Sequence, residues 1–88
     1  MDIIDTYQEL RRQGEVLDQY HFDRRWLGKT QGYFAYLRST GSQPSIETLM
    51  RFYLRLLSAD SAYAVYGLDG ELRHLAQSVM GEIKRRCS

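Results

Sequence analysis

Residues 27–49 read LGKTQGYFAYLRSTGSQPSIETL, and this stretch is the most informative about the fold. A glycine ends one apolar helix, and two residues later Thr30 can cap a second helix with buried positions at Phe34 and Leu37. A turn of small polar residues follows, after which Ser45 can cap a third helix. A helix, a tight turn, a short helix, a second turn and a further helix, in this order, are typical of a helix-turn-helix.

The residues before this stretch continue the helical spacing. An amphipathic helix is predicted from residue 2 to about residue 12, with Asp2 as its N-cap and Gly14 at its end. The segment that follows leaves two alternatives open: Asp23 caps a very short helix, or Asp18 caps a longer one. Either alternative adds a second helix before the glycine turn.

The helix capped by Ser45 has more apolar residues than one face of a helix needs. Phe52 and Leu54 widen its stripe, so we expect this helix to be central and buried on more than one side. Small and polar residues at 58–61 then indicate a break in the helix.

The C-terminal third is also predicted to be helical. Residues 62–66 favour a helix over a short strand, and a last helix is predicted over about residues 69–86. The apolar stripe of that helix consists of Leu68, Leu72, Leu75, Ala76, Val79 and Ile83. The predicted fold class is therefore all-α, a compact bundle of about five helices containing a helix-turn-helix, with an extra C-terminal helix. Residues 1–58 are expected to form the helix-turn-helix-like domain and residues 59–88 a C-terminal extension, within a single globular unit.

Length and composition limit the class of protein. The chain has 88 residues, which is enough for one small hydrophobic core and not for two. No stretch approaches the roughly 20 apolar residues needed to span a bilayer, so no membrane association is expected. The N-terminus is acidic and has no basic region before an apolar run, so no secretory signal is predicted. A single cysteine, Cys87, indicates a reducing, cytoplasmic location.

The sequence offers little catalytic or metal-binding chemistry. His21, His74 and Cys87 are far apart and no pair has the spacing of metal ligands. Cys87 has no pattern of residues nearby that points to a general base, and the seven glycines occur singly rather than in a phosphate-binding loop. We therefore expect no enzymatic activity, no metal, no cofactor and no small-molecule ligand.

Charge is distributed unevenly along the chain. Residues 1–18 have a net charge of −3 and residues 19–58 a net charge of +4, although the whole chain carries only +1. The middle of the chain is thus the part where an anionic partner is expected to bind.

Residues 27–49 resemble the Xre/Cro-type (lambda-repressor-like) helix-turn-helix family. The resemblance rests, without a gap, on Leu27, Gly28, Thr30, Phe34, Leu37, Pro44, Ser45, Ile46, Glu47, Thr48 and Leu49. Where the family usually has a Leu-Ala pair in its second helix, this chain has Asp23 and Arg24. The chain is also similar to small uncharacterised bacterial proteins with a Phe-x-x-x-Trp-Leu-Gly signature, here Phe22 to Gly28.

The resemblance implies a small transcriptional regulator that reads the major groove of double-stranded DNA with the helix starting near Thr30. Its implied base contacts are Gln31, Gly32, Tyr33 and Tyr36. Its implied phosphate contacts are Arg24, Arg25, Lys29, Thr30, Arg38 and Gln43. DNA readers of this type commonly form homodimers, and Leu72, Leu75, Val79 and Ile83 are the predicted dimerisation residues unless the last helix folds back onto its own domain. The alternative function is a helical protein–protein interaction module that keeps the fold without reading DNA.

Overall fold

The computed structural model describes residues 2–64 and 71–87, and it describes side chains at residues 2–59 and 72–87. Every regular element in these residues is helical and no strand occurs among them, so the predicted all-α bundle is confirmed. Within the same residues, no helix is both long and apolar enough to cross a membrane.

Helix α1 spans Ile3–Arg12 and has the two ends that the sequence predicts. The Asp2 carboxylate accepts a hydrogen bond from the Ile4 N–H at 2.9 Å, which caps the helix. At the other end Gly14 has φ of +81°, and the Glu15 N–H donates to the Leu10 carbonyl at 3.0 Å. This pairing is a Schellman motif, which satisfies carbonyls that the end of a helix otherwise leaves free.

Helix α2 spans Gln19–His21 and continues directly as a π-helical segment over Phe22–Trp26. The Asp18 carboxylate accepts from the His21 N–H at 2.8 Å, so the longer of the two predicted alternatives is the one that forms. The wider turn is visible in the Leu27 N–H, which donates to the Phe22 carbonyl five residues earlier at 3.1 Å.

Helices α3 and α4 follow as Tyr33–Thr40 and Ile46–Ala64. The predicted cap of α4 is confirmed, because the Thr48 N–H donates to the Ser45 hydroxyl at 3.2 Å. The break predicted at residues 58–61 is wrong, since α4 continues through them to Ala64. The boundary drawn at residue 58 thus falls inside a helix. Residues 62–64 are helical, and residues 65–66 lie outside the described residues.

Helix α5 spans Glu71–Cys87 and packs against α4. Of the four predicted dimerisation residues, Leu72, Val79 and Ile83 are buried in the core of the chain itself, and Leu75 is half-buried against that core. In the single chain this stripe therefore forms an intramolecular contact, as the fold-back alternative supposes. The start of the predicted stripe at Leu68 lies outside the described residues.

Aromatic side chains fill the centre of the bundle. Rings from α1, the π-helical segment, α3 and α4 meet there with centroids 4.6 to 6.3 Å apart, mostly edge to face. These rings belong to Tyr7, Phe22, Trp26, Phe34 and Phe52. Edge-to-face contacts of this kind add to the stabilisation that burial of the rings provides.

The C-terminal end of α5 is held by a buried carboxylate. Glu82 is buried, and Arg85 and Arg86 both donate to it, with an Arg85 Nε to Glu82 Oε2 distance of 2.8 Å. Arg86 also donates to the carbonyl of Pro44, just before α4. The last turn of α5 is thereby tied to the start of α4, so the two long helices are clamped together at this end.

Candidate nucleic-acid interface

The π-helical segment buries some of its side chains and exposes others. Phe22, Asp23 and Trp26 point into the protein, and Arg24 and Arg25 are exposed. Segments of π-helix are uncommon and are found often at functional sites. Here the segment exposes two adjacent cations immediately before the turn that leads to α3.

Asp23 caps α3 from a different helix. Its side chain is 1% exposed, and its two oxygens accept from the Gly32 N–H at 3.0 Å and the Phe34 N–H at 2.8 Å. Burial raises the pKa of the Asp23 carboxyl above its usual value, and the hydrogen bonds from backbone N–H groups offset only part of that effect. The first N–H groups of α3 are thus already satisfied inside the protein.

The cap supplied by Asp23 corrects the prediction for Thr30. Thr30 lies in the turn and is not the N-cap of α3, which begins three residues later at Tyr33. Gly32 stands at the N-cap position with φ of +93° and contributes no side chain. The physical reason is that a buried carboxylate satisfies several N–H groups at once, whereas a threonine hydroxyl in the turn would satisfy one.

The turn after the π-helical segment is covered by cations from α4. Gly28 has φ of +68°, and a Cβ placed there would come within 3.2 Å of Nη1 of Arg51. The guanidinium of Arg51 therefore lies directly against the turn. Arg55, one helical turn further along α4, lies over the ring of Trp26 at 4.9 Å from its centroid.

Two further cations lie at the same turn. Arg24, Lys29 and Thr30 line a shallow depression together with Gly28. Nζ of Lys29 lies 5.4 Å from the centroid of the Tyr33 ring, at the start of α3. We define the basic surface as four cations: Arg24, Lys29 and Arg51 at this turn, and Arg55 over Trp26 just before it. One carboxylate, Glu47, lies at its edge, 3.4 Å from Arg51.

The predicted base contacts divide into two groups. Gln31 and Gly32 are exposed but precede the helix, in the turn. Tyr33 is half-buried against the core, and Tyr36 is 57% exposed on the outer side of α3. Among the four residues, Tyr36 is the one that α3 itself presents to a partner.

The predicted phosphate contacts are all accessible to some degree. Lys29 is half-buried, and the other five, Arg24, Arg25, Thr30, Arg38 and Gln43, are exposed. Arg38 lies over the ring of Phe34, 5.9 Å from the centroid. The structure therefore brings Arg24, Lys29 and Thr30 together, and leaves Arg38 and Gln43 at and beyond the far end of α3.

Two contributors to the basic surface were not assigned a role from the sequence. Arg51 and Arg55 lie on α4, away from the helix-turn-helix stretch, yet they pack onto the turn and onto Trp26. Their spacing of four residues, which places both on the same side of a helix, was the available signal.

Other chemistry is sparse in the part of the chain that the structure describes. There, no three His, Cys, Asp or Glu side chains are grouped so that they could hold a metal ion. Cys87 is exposed near the end of the chain, and Nδ1 of His21 accepts from the Leu17 N–H at 3.2 Å.

Comparison with known proteins connects this chain to one family. A family model described as a family of unknown function (DUF6626) matches residues 3–88. No curated protein and no solved structure matches the chain. The matched range includes every residue of the basic surface and all of α3.

Proposed function

The chain belongs to the DUF6626 family, whose function is unknown, and from the geometry around α3 we propose that it is a small protein that binds double-stranded DNA. The observation that carries the proposal is the basic surface, four accessible cations grouped around the turn that leads into α3. Proteins that bind DNA draw much of their affinity from such cations, because each one neutralises a phosphate and releases counterions. A transcriptional role is part of the same proposal.

The cap at α3 determines how the DNA is bound. Because Asp23 already accepts hydrogen bonds from the Gly32 and Phe34 N–H groups, the start of α3 has fewer N–H groups to offer a phosphate. The phosphate contacts therefore come from side chains of the basic surface. Tyr36 is then the side chain of α3 that reaches the groove, since its ring is 57% exposed.

The first experiment measures binding to a labelled random duplex by fluorescence anisotropy at two salt concentrations. We expect micromolar binding at about 50 mM salt that weakens by about 100-fold at about 200 mM, because four neutralised phosphates give a log–log slope of about −3.6. An absence of binding at tens of micromolar protein in low salt contradicts the proposal.

Variants then test the surface. Lys29→Ala and Arg51→Ala should each weaken binding to every duplex about equally and reduce the salt slope by about 1. Lys84→Ala is the matched control, because Lys84 is an exposed cation on α5 that lies outside the basic surface. Tyr36→Ala should alter sequence preference more than it alters the salt slope. Equal losses in Lys84→Ala and Arg51→Ala would assign the binding to overall charge instead.

One observation favours the second candidate, a helical protein-interaction module. Ile46, Met50 and Leu54 are all exposed on α4. Large apolar side chains grouped on a surface often mark a protein contact. If the anisotropy experiment shows no DNA binding, this surface is the one to test for a protein partner.

A further inference from the structure

A half-open pocket lies beside the basic surface, where α2 continues into the π-helical segment. Its volume is about 440 Å³, within the range of about 300–1,000 Å³ that ligand pockets in proteins have. We call it the Tyr20 pocket, and six residues line it: Leu17, Asp18, Tyr20, His21, Arg24 and Arg25. Apart from Arg24, none of these residues belongs to the basic surface.

The Tyr20 pocket has exposed apolar side chains that the core does not use. Leu17 is 75% exposed and Tyr20 is 51% exposed. Single exposed apolar side chains are common on proteins, but these two border the same pocket. The guanidinium of Arg24 lies 6.0 Å from the centroid of the Tyr20 ring, at the outer limit of a cation–π contact. The pocket therefore has an accessible aromatic ring next to a loosely held cation.

The polar groups of the pocket match those of a nucleotide. Arg24 and Arg25 are both exposed and supply positive charge for a phosphate. The Asp18 carboxylate accepts from the His21 N–H at 2.8 Å, and Nδ1 of His21 accepts from the Leu17 N–H at 3.2 Å. The neutral imidazole then carries its proton on Nε2, which is a hydrogen-bond donor. Donors, an acceptor and an aromatic ring are the groups that proteins use to hold a base.

The pocket is continuous with the surface proposed to bind DNA. Arg24 lines the Tyr20 pocket and also the depression that contains Gly28, Lys29 and Thr30. A strand whose phosphates lie on the basic surface would thus have the pocket directly beside it. A base inside a duplex is paired and stacked and does not enter such a pocket, whereas an unpaired base does.

We propose that the Tyr20 pocket binds one unpaired nucleotide of a DNA strand held on the basic surface. The base stacks on Tyr20, and Arg25 binds the adjacent phosphate. This inference rests on the proposed function, and it adds a preference for duplexes that end in a short single strand. A free nucleotide has the same base and phosphate, but the continuity with the basic surface favours a nucleotide within DNA.

The test compares three labelled DNAs by fluorescence anisotropy at about 50 mM salt. The first is a blunt duplex, the second adds a three-thymine overhang, and the third adds an overhang of three abasic sites. The overhangs are placed at the 5′ end in one set and at the 3′ end in another. We expect one of the thymine overhangs to bind about 10-fold more tightly than its abasic counterpart, because stacking on an aromatic ring stabilises each base. Both overhangs carry the same phosphates, so this ratio measures the base alone.

Variants locate the base. Tyr20→Ala should remove the 10-fold ratio and leave the blunt duplex within about 2-fold, whereas Tyr20→Phe, which keeps a ring, should retain the ratio. Tyr36→Ala is the matched control, because Tyr36 is also an exposed tyrosine but lies on α3 outside the pocket, and it should retain the ratio. Arg25→Ala should weaken both overhangs alike. Far-UV circular dichroism should be unchanged in the Tyr20 variants, since this side chain is half exposed.

The possible results separate this inference from the proposed function. Equal affinity for thymine and abasic overhangs in both sets overturns the inference, while binding of the blunt duplex still supports the proposed function. A ratio that Tyr20→Ala retains, or that Tyr36→Ala removes equally, also overturns it. Loss of the ratio in about 1 mM thymidine monophosphate would assign the pocket to a free nucleotide instead. Binding of overhang DNA without binding of the blunt duplex supports the inference and contradicts the proposed function, and no binding of any DNA contradicts both.

Discussion

Two buried carboxylates, Asp23 in the π-helical segment and Glu82 in α5, accept hydrogen bonds from different kinds of donor. Asp23 accepts from backbone N–H groups at the start of α3, whereas Glu82 accepts from the guanidinium groups of Arg85 and Arg86. Burial raises the pKa of Asp23, and hydrogen bonds from the two arginines lower the pKa of Glu82 to about 2. Burial alone therefore does not determine how a carboxylate titrates; the charge of its partners decides the direction.

The largest effect is expected from removing the carboxylate that has only neutral partners. Asp23→Ala leaves the buried Phe34 N–H and the partly buried Gly32 N–H without their acceptor, and we expect it to lower the free energy of unfolding by about 2–4 kcal/mol. Urea unfolding measures this loss. Asp18→Ala is the matched control, because Asp18 is also an aspartate cap but is exposed, and it should cost about 1 kcal/mol. Equal losses would show that Asp23 acts as an ordinary cap.

A smaller loss of stability is expected at the other carboxylate. Glu82→Gln removes the charge that Arg85 and Arg86 share. Its amide oxygen can still accept a hydrogen bond, and the Arg85 side chain, which is 69% exposed, can turn to water, so the urea midpoint should fall less than in Asp23→Ala. Glu9→Gln is the control, since the pKa of Glu9 is also lowered to about 2, by Arg12 and Gln13, but its partner Arg12 is largely exposed. Glu82→Gln should cost more than Glu9→Gln because Glu82 is buried and holds Arg86, which donates to the carbonyl of Pro44.

The pH dependence of the unfolding free energy tests the difference between Asp23 and Glu82 directly. The pKa of Glu82 is lower in the folded state, so its contribution is complete above pH 4.5 and is lost as the pH falls towards 2. The pKa of Asp23 is raised, so its contribution is complete below its unfolded value of 3.8 and declines as the pH rises through the folded value. Urea midpoints between pH 2 and 7 should show less acid destabilisation in Glu82→Gln than in the wild type. Asp23→Asn should show more acid destabilisation than the wild type. If Glu82→Gln showed more and Asp23→Asn less, the directions given for both pKa shifts would be contradicted.

The smallest effect is expected at a buried polar group that has no partner in the described part of the chain. Nε1 of Trp26 is buried there without a hydrogen bond. Trp26→Phe removes this unsatisfied N–H, which favours the folded state. It also removes buried volume and replaces the indole beneath Arg55 with a smaller ring, which disfavours the folded state. We therefore expect a change in unfolding free energy within about 1 kcal/mol, measured by urea unfolding followed by circular dichroism. A loss well above that range would indicate that the indole N–H has a partner in solution.

Local signals in the sequence were sufficient for most helix ends. The hydrogen bonds at Asp2, Gly14, Asp18 and Ser45 all span five residues or fewer along the chain, which is the range over which caps can be read. Asp23 caps α3 across nine and eleven residues, and that relation depends on how the π-helical segment packs. No local pattern encodes such a contact, so Thr30 was the natural but incorrect choice.

The spacing of apolar residues in the sequence also does not show whether a side chain is buried within its own chain, buried by a partner or exposed. The α5 stripe predicted either a second copy or an intramolecular contact, and its spacing suits both; in the single chain Val79 and Ile83 pack inward. Leu54 shows the reverse case, an apolar residue expected in the core that is exposed. The residues at 58–61 resembled a break, yet Ala59 is buried and the helix continues through them.

The position of Trp26 gives the protein an optical probe of its own. It is the one tryptophan in the sequence, it is 2% exposed, and Arg55 of the basic surface lies over its ring. Its emission therefore comes from a single place, shielded from water by the core and bordered by a cation at the surface proposed to meet DNA. Without any attached dye, one fluorescence spectrum reports both whether the core is intact and whether the charge above the indole has changed its surroundings.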